Sequence, residues 1–195
     1  MTQSPGEGTP PSTRRLYVGS WRMDVTDRTG RQPVVPRAAL ARDLARALEA
    51  GGAPGPSAVG LILTDDAELS HLNEHAMGQS GATDVLSFPL LPPSEFPPHP
   101  GQDRSQWPDA EERVRSFALP PGQRVHLGEV VVSVERAIEQ AQQGLGGQTG
   151  DVSWSPADEL RLLVTHGALH LCGWDHAEPE EESAMRTLEG ELLSR

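Results

Sequence analysis

Thr165-His166-Gly167-Ala168-Leu169-His170-Leu171-Cys172-Gly173-Trp174-Asp175-His176 is the stretch on which the fold turns. His166 and His170 stand four residues apart, so a helix carries both rings on one face, one turn apart. Gly173 supplies the left-handed residue that ends a helix. A chain reversal there can bring His176 back to the same point. Three imidazoles on one divalent ion leave a fourth position for water, which is the catalytic rather than the structural arrangement of zinc. A single helix histidine is ordinarily a core or surface residue. Here three of the chain's seven histidines fall within 11 residues, with a glycine at the hinge, which favours a shared ion. Neutral imidazoles suit Zn best, with Ni, Cu or Fe as alternatives. Cys172 is not expected among the ligands, because it lies about 240° around the helix from His166, against about 40° for His170. It is expected to pack inward as a small apolar residue. Asp175 either orients a ligand ring or only shapes the turn; the sequence leaves both open.

The helix that carries these residues starts at Ser155-Pro156-Ala157-Asp158, with a hydroxyl cap, a proline in the first turn and a carboxylate three residues on. Leu160, Leu163, Val164 and Leu171 continue it to Gly173. Gly167 inside it costs roughly 1 kcal/mol against alanine, so a packing or functional reason is expected. Downstream, Pro179 and Glu180-Glu181-Glu182 open a last helix with Met185, Leu188 and Leu192 as its buried stripe. Upstream, Leu16 to Val25 reads as a first strand. Pro36 opens a helix with Leu40, Leu44 and Leu48 on one face. Ala58 to Leu63, Val85 to Pro89 and Leu127 to Val132 read as strands. Asp65 or Asp66 caps a short helix with Leu69 and Leu72 inward. Ser133 caps another that closes at Gly144. His71 and His75 repeat the four-residue spacing but lack a third ligand at a chain reversal, and they read as a solvated face.

The 195 residues suit one domain over residues 14–195 behind a disordered tail, residues 1–13. Between Leu91 and Arg124 lie 8 of the 18 prolines and no periodicity, so this is a Pro-rich insertion, either functional or disordered. No run approaches the roughly 18 apolar residues of a membrane span. Met1 to Thr13 lacks the apolar core of a signal peptide, and a lone cysteine fits a reducing compartment; a cytoplasmic location is expected. The net charge of −12 taken alone argues against nucleic acid. Yet all 16 basic residues are arginine, and eight of them lie between Arg14 and Arg46. A local basic surface there is possible.

His166-Gly167-x-Leu169-His170-Leu171-x-Gly173-x-Asp175-His176 resembles the signature of the YbeY family, metal-dependent endoribonucleases of ribosomal RNA maturation and ribosome quality control. Thr83-Asp84-Val85-Leu86-Ser87-Phe88-Pro89, the preceding Leu72-Asn73, and Leu127-Gly128-Glu129 followed by Val130-Val131-Val132 are similar to further blocks of that family, with Glu129 where an aspartate is usual. The resemblance covers about residues 57–193. It implies an α+β fold, a small mixed β-sheet packed with about five helices, the metal-binding helix central. It also implies one Zn(2+) on His166, His170 and His176, and a metal-bound water that attacks single-stranded RNA, a ribosomal RNA precursor, in concert with the ribosome or its proteins. No general base is assigned. One departure is Met77, where the family carries an arginine against the phosphate; an arginine from Arg14–Arg46, Arg124 or a partner would have to stand in. Two other readings remain: a ribosome-associated binding factor with a structural metal site, and a zinc protease. The protease motif has the same histidine and glycine spacing but needs a glutamate base where Gly167 stands.

Overall fold

The computed structural model describes residues 11–78, 81, 83–99, 120, 122–144 and 154–194, without the side chains of Met77 and Pro93. Five strands form one sheet in the order β1-β2-β3-β5-β4. They are β1 (Ser12–Val18), β2 (Trp21–Asp27), β3 (Ser57–Thr64), β4 (Val85–Pro89) and β5 (Val125–Ser133). The two edge strands run antiparallel to their neighbours, and the β2–β3 and β3–β5 pairs are parallel. Five α-helices accompany them among the described residues: α1 (Arg37–Ala50), α2 (Asp66–Leu72, continued by a π-helical turn to Met77), α3 (Val134–Gln143), α4 (Pro156–Leu171) and α5 (Pro179–Leu193). This is the expected α+β architecture with a mixed sheet.

The pattern of apolar residues accounts for the layers. β3 is buried over nearly its whole length, as a strand covered on both sides must be. Leu40, Leu44 and Leu48 turn one face of α1 into the core with no exposure at all. The helix α4 lies at the centre of the molecule, packed against α1, α3, α5, β4 and β5. Every residue from Glu159 to Leu171 except Arg161 and His170 is buried. Removing a leucine there costs on the order of 2–5 kcal/mol.

Several boundaries differ from the sequence reading. The single strand expected over Leu16–Val25 is a hairpin, because Gly19 adopts a positive φ and reverses the chain between Val18 and Trp21. Ser12 and Thr13, placed in the tail, belong to β1; the remainder of that tail before Pro11 lies outside the described residues. The helix expected to reach Gly173 ends at Leu171. Of the Pro-rich stretch from Leu91 to Arg124, residues 100–119 and 121 lie outside the described residues. Its first part is not free of structure: Pro93–Glu95 form a 3-10 turn, and Phe96 is buried.

Candidate metal centre

Ser155 caps α4 by accepting the Asp158 amide, while Asp158 accepts the Ser155 amide in return. At the other end of the helix the chain closes in a Schellman motif. The Gly173 amide donates to the His170 carbonyl at 3.0 Å and the Trp174 amide to the Leu169 carbonyl at 3.2 Å. Gly173 takes φ +82°, which an L side chain rarely adopts. The turn that delivers His176 is thereby bonded to the helix turn that carries His170. Asp175 accepts the His176 amide at 2.8 Å, so of its two possible roles the structure gives it the shaping of the turn.

The three predicted histidines converge. One ring nitrogen from each of His166, His170 and His176 lies within 4.8 Å of the others. The Nε2 atoms of His166 and His170 face each other at 3.0 Å. Two nitrogens on one tetrahedral zinc would stand about 3.3 Å apart, given Zn–N bonds near 2.0–2.1 Å. The donor set therefore fits a borderline-soft divalent ion. His166 is the buried member, at 9% exposure, and its Nδ1–H donates to Glu189 Oε1 at 2.7 Å. This bond fixes the tautomer and turns the Nε2 lone pair toward the shared point. Glu189, on α5 and 5% exposed, was not foreseen as part of the site. It stands 23 residues beyond His166 in a helix whose local pattern marks only its apolar stripe. Burial pushes His170 down to about 4 from its ordinary 6.5, with His166 and His176 adding to the effect. Its ring thus stays neutral, the form able to ligate, well below physiological pH.

Gly167 has its reason in packing. A Cβ there would lie 2.5 Å from Val130 Cγ1 and 3.0 Å from Val85 Cγ2, so only glycine lets α4 rest directly on β4 and β5. The Ser87 hydroxyl of β4 donates to the Gly167 carbonyl at 2.9 Å. The Thr83–Pro89 block thus meets the histidine helix: its strand, β4, is the one against which α4 is pinned. Asn73, buried, donates from Nδ2 to the Gly81 carbonyl and ties the preceding segment to this strand's approach.

A groove of roughly 590 Å³ opens beside the histidines, lined on one side by Thr83–Ser87 and Pro89 and on the other by Glu182, Met185, Arg186 and Glu189 of α5. His99, from the described start of the Pro-rich stretch, buttresses the outer turn. Its ring stacks on Trp174 with centroids 4.2 Å apart and donates from Nε2 to the Gly173 carbonyl.

The other singled-out residues lie elsewhere. Cys172 is fully buried, packed near Gly51, and burial pushes its thiol up to about 12. His71 and His75 are exposed, as expected of a solvated face. The basic N-terminal surface is largely neutralised. Arg15 and Arg22 pair with Asp24, Arg28 with Glu68, Arg31 with Glu135, Arg37 with Asp27, and Arg46 with Asp43. Arg124 donates to the Ser20 carbonyl at the β1–β2 turn. None of these arginines is among the described residues that line the groove.

Fold and site together define an α+β protein with a three-histidine centre at the end of its central helix. The model of the family described as endoribonuclease YbeY matches residues 30–195. Endoribonuclease YbeY of Roseiflexus castenholzii is 32% identical over 161 residues, 82% of this chain and 83% of that protein. Its counterpart in Bacillus licheniformis is 31% identical over 173 residues, 89% and 93% of the two chains. The solution structure of TM1509 from Thermotoga maritima aligns over 89% of each chain with a TM-score of 0.45 and 21% identity. The chain belongs to the YbeY endoribonuclease family.

Proposed function

We propose that this protein is a metal-dependent endoribonuclease that cuts single-stranded RNA in the maturation and quality control of ribosomal RNA, in the cytoplasm and in association with the ribosome. The observation that carries this reading is the convergence of three ring nitrogens on one point at the edge of an open groove. The relatives' names give the substrate class. His166, His170 and His176 would hold one Zn(2+), and Glu189 would keep His166 in its ligating tautomer. When bound, the ion supplies a Lewis acid for a phosphoryl oxygen and acidifies water at neutral pH. The chain's own contribution is positional. The Thr83–Pro89 segment and α5 line the groove beside the histidines, and a single strand would lie there with its backbone exposed to the centre.

A zinc protease is disfavoured by the packing at Gly167. The position that would carry a protease's glutamate base faces Val130 and Val85, with no room for a side chain. The reading as a ribosome-bound factor with a structural ion draws its support from the groove's acidity, since Asp84, Glu182 and Glu189 all line it. The test is incubation of zinc-loaded protein with a single-stranded RNA, its duplex, and casein. Cleavage of the single strand alone, abolished by chelator and by His170→Ala, is expected. Intact RNA with the wild-type protein, or cutting that survives His170→Ala, would overturn the nuclease reading.

A further inference from the structure

Among the described residues that line the groove there is one permanent positive charge, Arg186, against the three carboxylates of Asp84, Glu182 and Glu189. Arg186 sits on α5 three residues before Glu189, so the two share a helix face one turn apart. Glu189 reaches inward to His166, and Arg186 lines the same groove. Its Nη2 is held 2.6 Å from Glu182 Oε1, one turn back, with both side chains close to half exposed at 47% and 44%. An exposed pair of this spacing contributes little to stability. The guanidinium is therefore stationed at the groove by a partner it can leave at little cost. A phosphodiester offers what Glu182 offers, two anionic oxygens for a bidentate fork.

Resting on the endoribonuclease reading above, we infer that Arg186 is the phosphate-binding residue of this groove: it exchanges Glu182 for the backbone phosphate beside the scissile position. A divalent ion offsets two of the three carboxylates. The incoming phosphate then needs a further cation, and Arg186 is the described lining residue that supplies one. The exchange is a change of hydrogen-bond partner with no covalent step, so Glu182 acts as a placeholder that the substrate displaces.

The experiment compares zinc-loaded wild type, Arg186→Ala, Arg186→Lys and Glu182→Gln. Binding is measured with a short single-stranded RNA across a salt series by rapid mixing, before turnover, and cleavage with the same strand on longer incubation. Arg186→Ala should weaken binding and lower the slope of log Kd against log salt by about 0.7, the share of one phosphate contact on a single strand. Its kcat/KM should fall roughly 100-fold, as when one charge-stabilising donor is removed. Arg186→Lys should restore the salt slope but only part of the rate, because an ammonium cannot fork. Glu182→Gln should bind at least as tightly as wild type. An unchanged slope in Arg186→Ala overturns the inference, whether or not affinity falls, since a merely structural loss would leave the count of phosphate contacts intact. If wild type itself neither binds nor cuts the strand, the nuclease reading has failed instead. If wild type cuts and Arg186→Ala cuts equally well, only the role of Arg186 is lost.

Discussion

At the scale of single residues, the geometry of the centre depends on Glu189. A buried imidazole N–H that loses its acceptor costs about 1–3 kcal/mol, and partners of this kind are typically worth 10–100-fold in metal affinity. Glu189→Ala is expected to weaken zinc binding by about that factor, and Glu189→Gln, which still accepts the Nδ1–H of His166, by less. Competition with a chromophoric chelator reads both, and equal affinity in all three proteins would remove Glu189 from the site. His170 gives a pH dependence. Its folded pKa of about 4 lies below the ordinary 6.5 because the buried ring resists charging. The folded state thus favours the neutral form. The stability tied to it is fully present above about pH 6.5 and is lost as pH falls through about 4, by at most roughly 3 kcal/mol. Urea unfolding of metal-free protein across this window should show the decline, and His170→Phe should flatten it.

At the scale of elements, the contact between α4 and the β4–β5 pair decides where the ligands point. Alanine at position 167 would gain about 1 kcal/mol of helix propensity. It would also set a methyl 2.5 Å from Val130 Cγ1, a side chain with no exposure. Overpacking of this kind costs about 1–3 kcal/mol. Gly167→Ala is therefore expected to lower the melting temperature and, by lifting α4 from the strand, to weaken zinc binding at His166 and His170. A more stable protein with unaltered zinc affinity would show that the contact is slack. The Schellman turn and the stacked His99–Trp174 pair do the corresponding work for His176, from the far side of the helix end.

At the scale of the whole molecule, the candidate centre draws its three imidazoles from α4 and its C-terminal turn, and the acceptor of His166 from α5. An ion bound there ties these elements together and stabilises the folded state by mass action. Free zinc at about 100 times its Kd should add about 2.7 kcal/mol, seen as a rise in melting temperature that chelator reverses and His170→Ala lacks. A melting temperature indifferent to zinc in the wild-type protein would count against the site. The same scale explains the charge. Six of the eight arginines from Arg14 to Arg46 are spent on ion pairs with the chain's own carboxylates. A concentration of arginine in the sequence is therefore not a basic surface in the fold.

Much of this was legible in the residues alone. The spacing of His166, His170, Gly173 and His176 suffices to bring three imidazoles together, because helix periodicity and a left-handed glycine are local physics. The cap at Ser155 and the stripe of Leu40, Leu44 and Leu48 are local in the same sense. What lies between distant segments was not legible. The bond from His166 to Glu189 spans 23 residues and that from Ser87 to Gly167 spans 80. The stationing of Arg186 at the groove depends on how α5 crosses α4. No periodicity encodes such meetings, since they follow from the packing of the sheet and helices around α4. The sequence by itself determined which atoms can hold an ion; the tertiary structure decided what orients them, why Gly167 must be bare, and which arginine faces the groove.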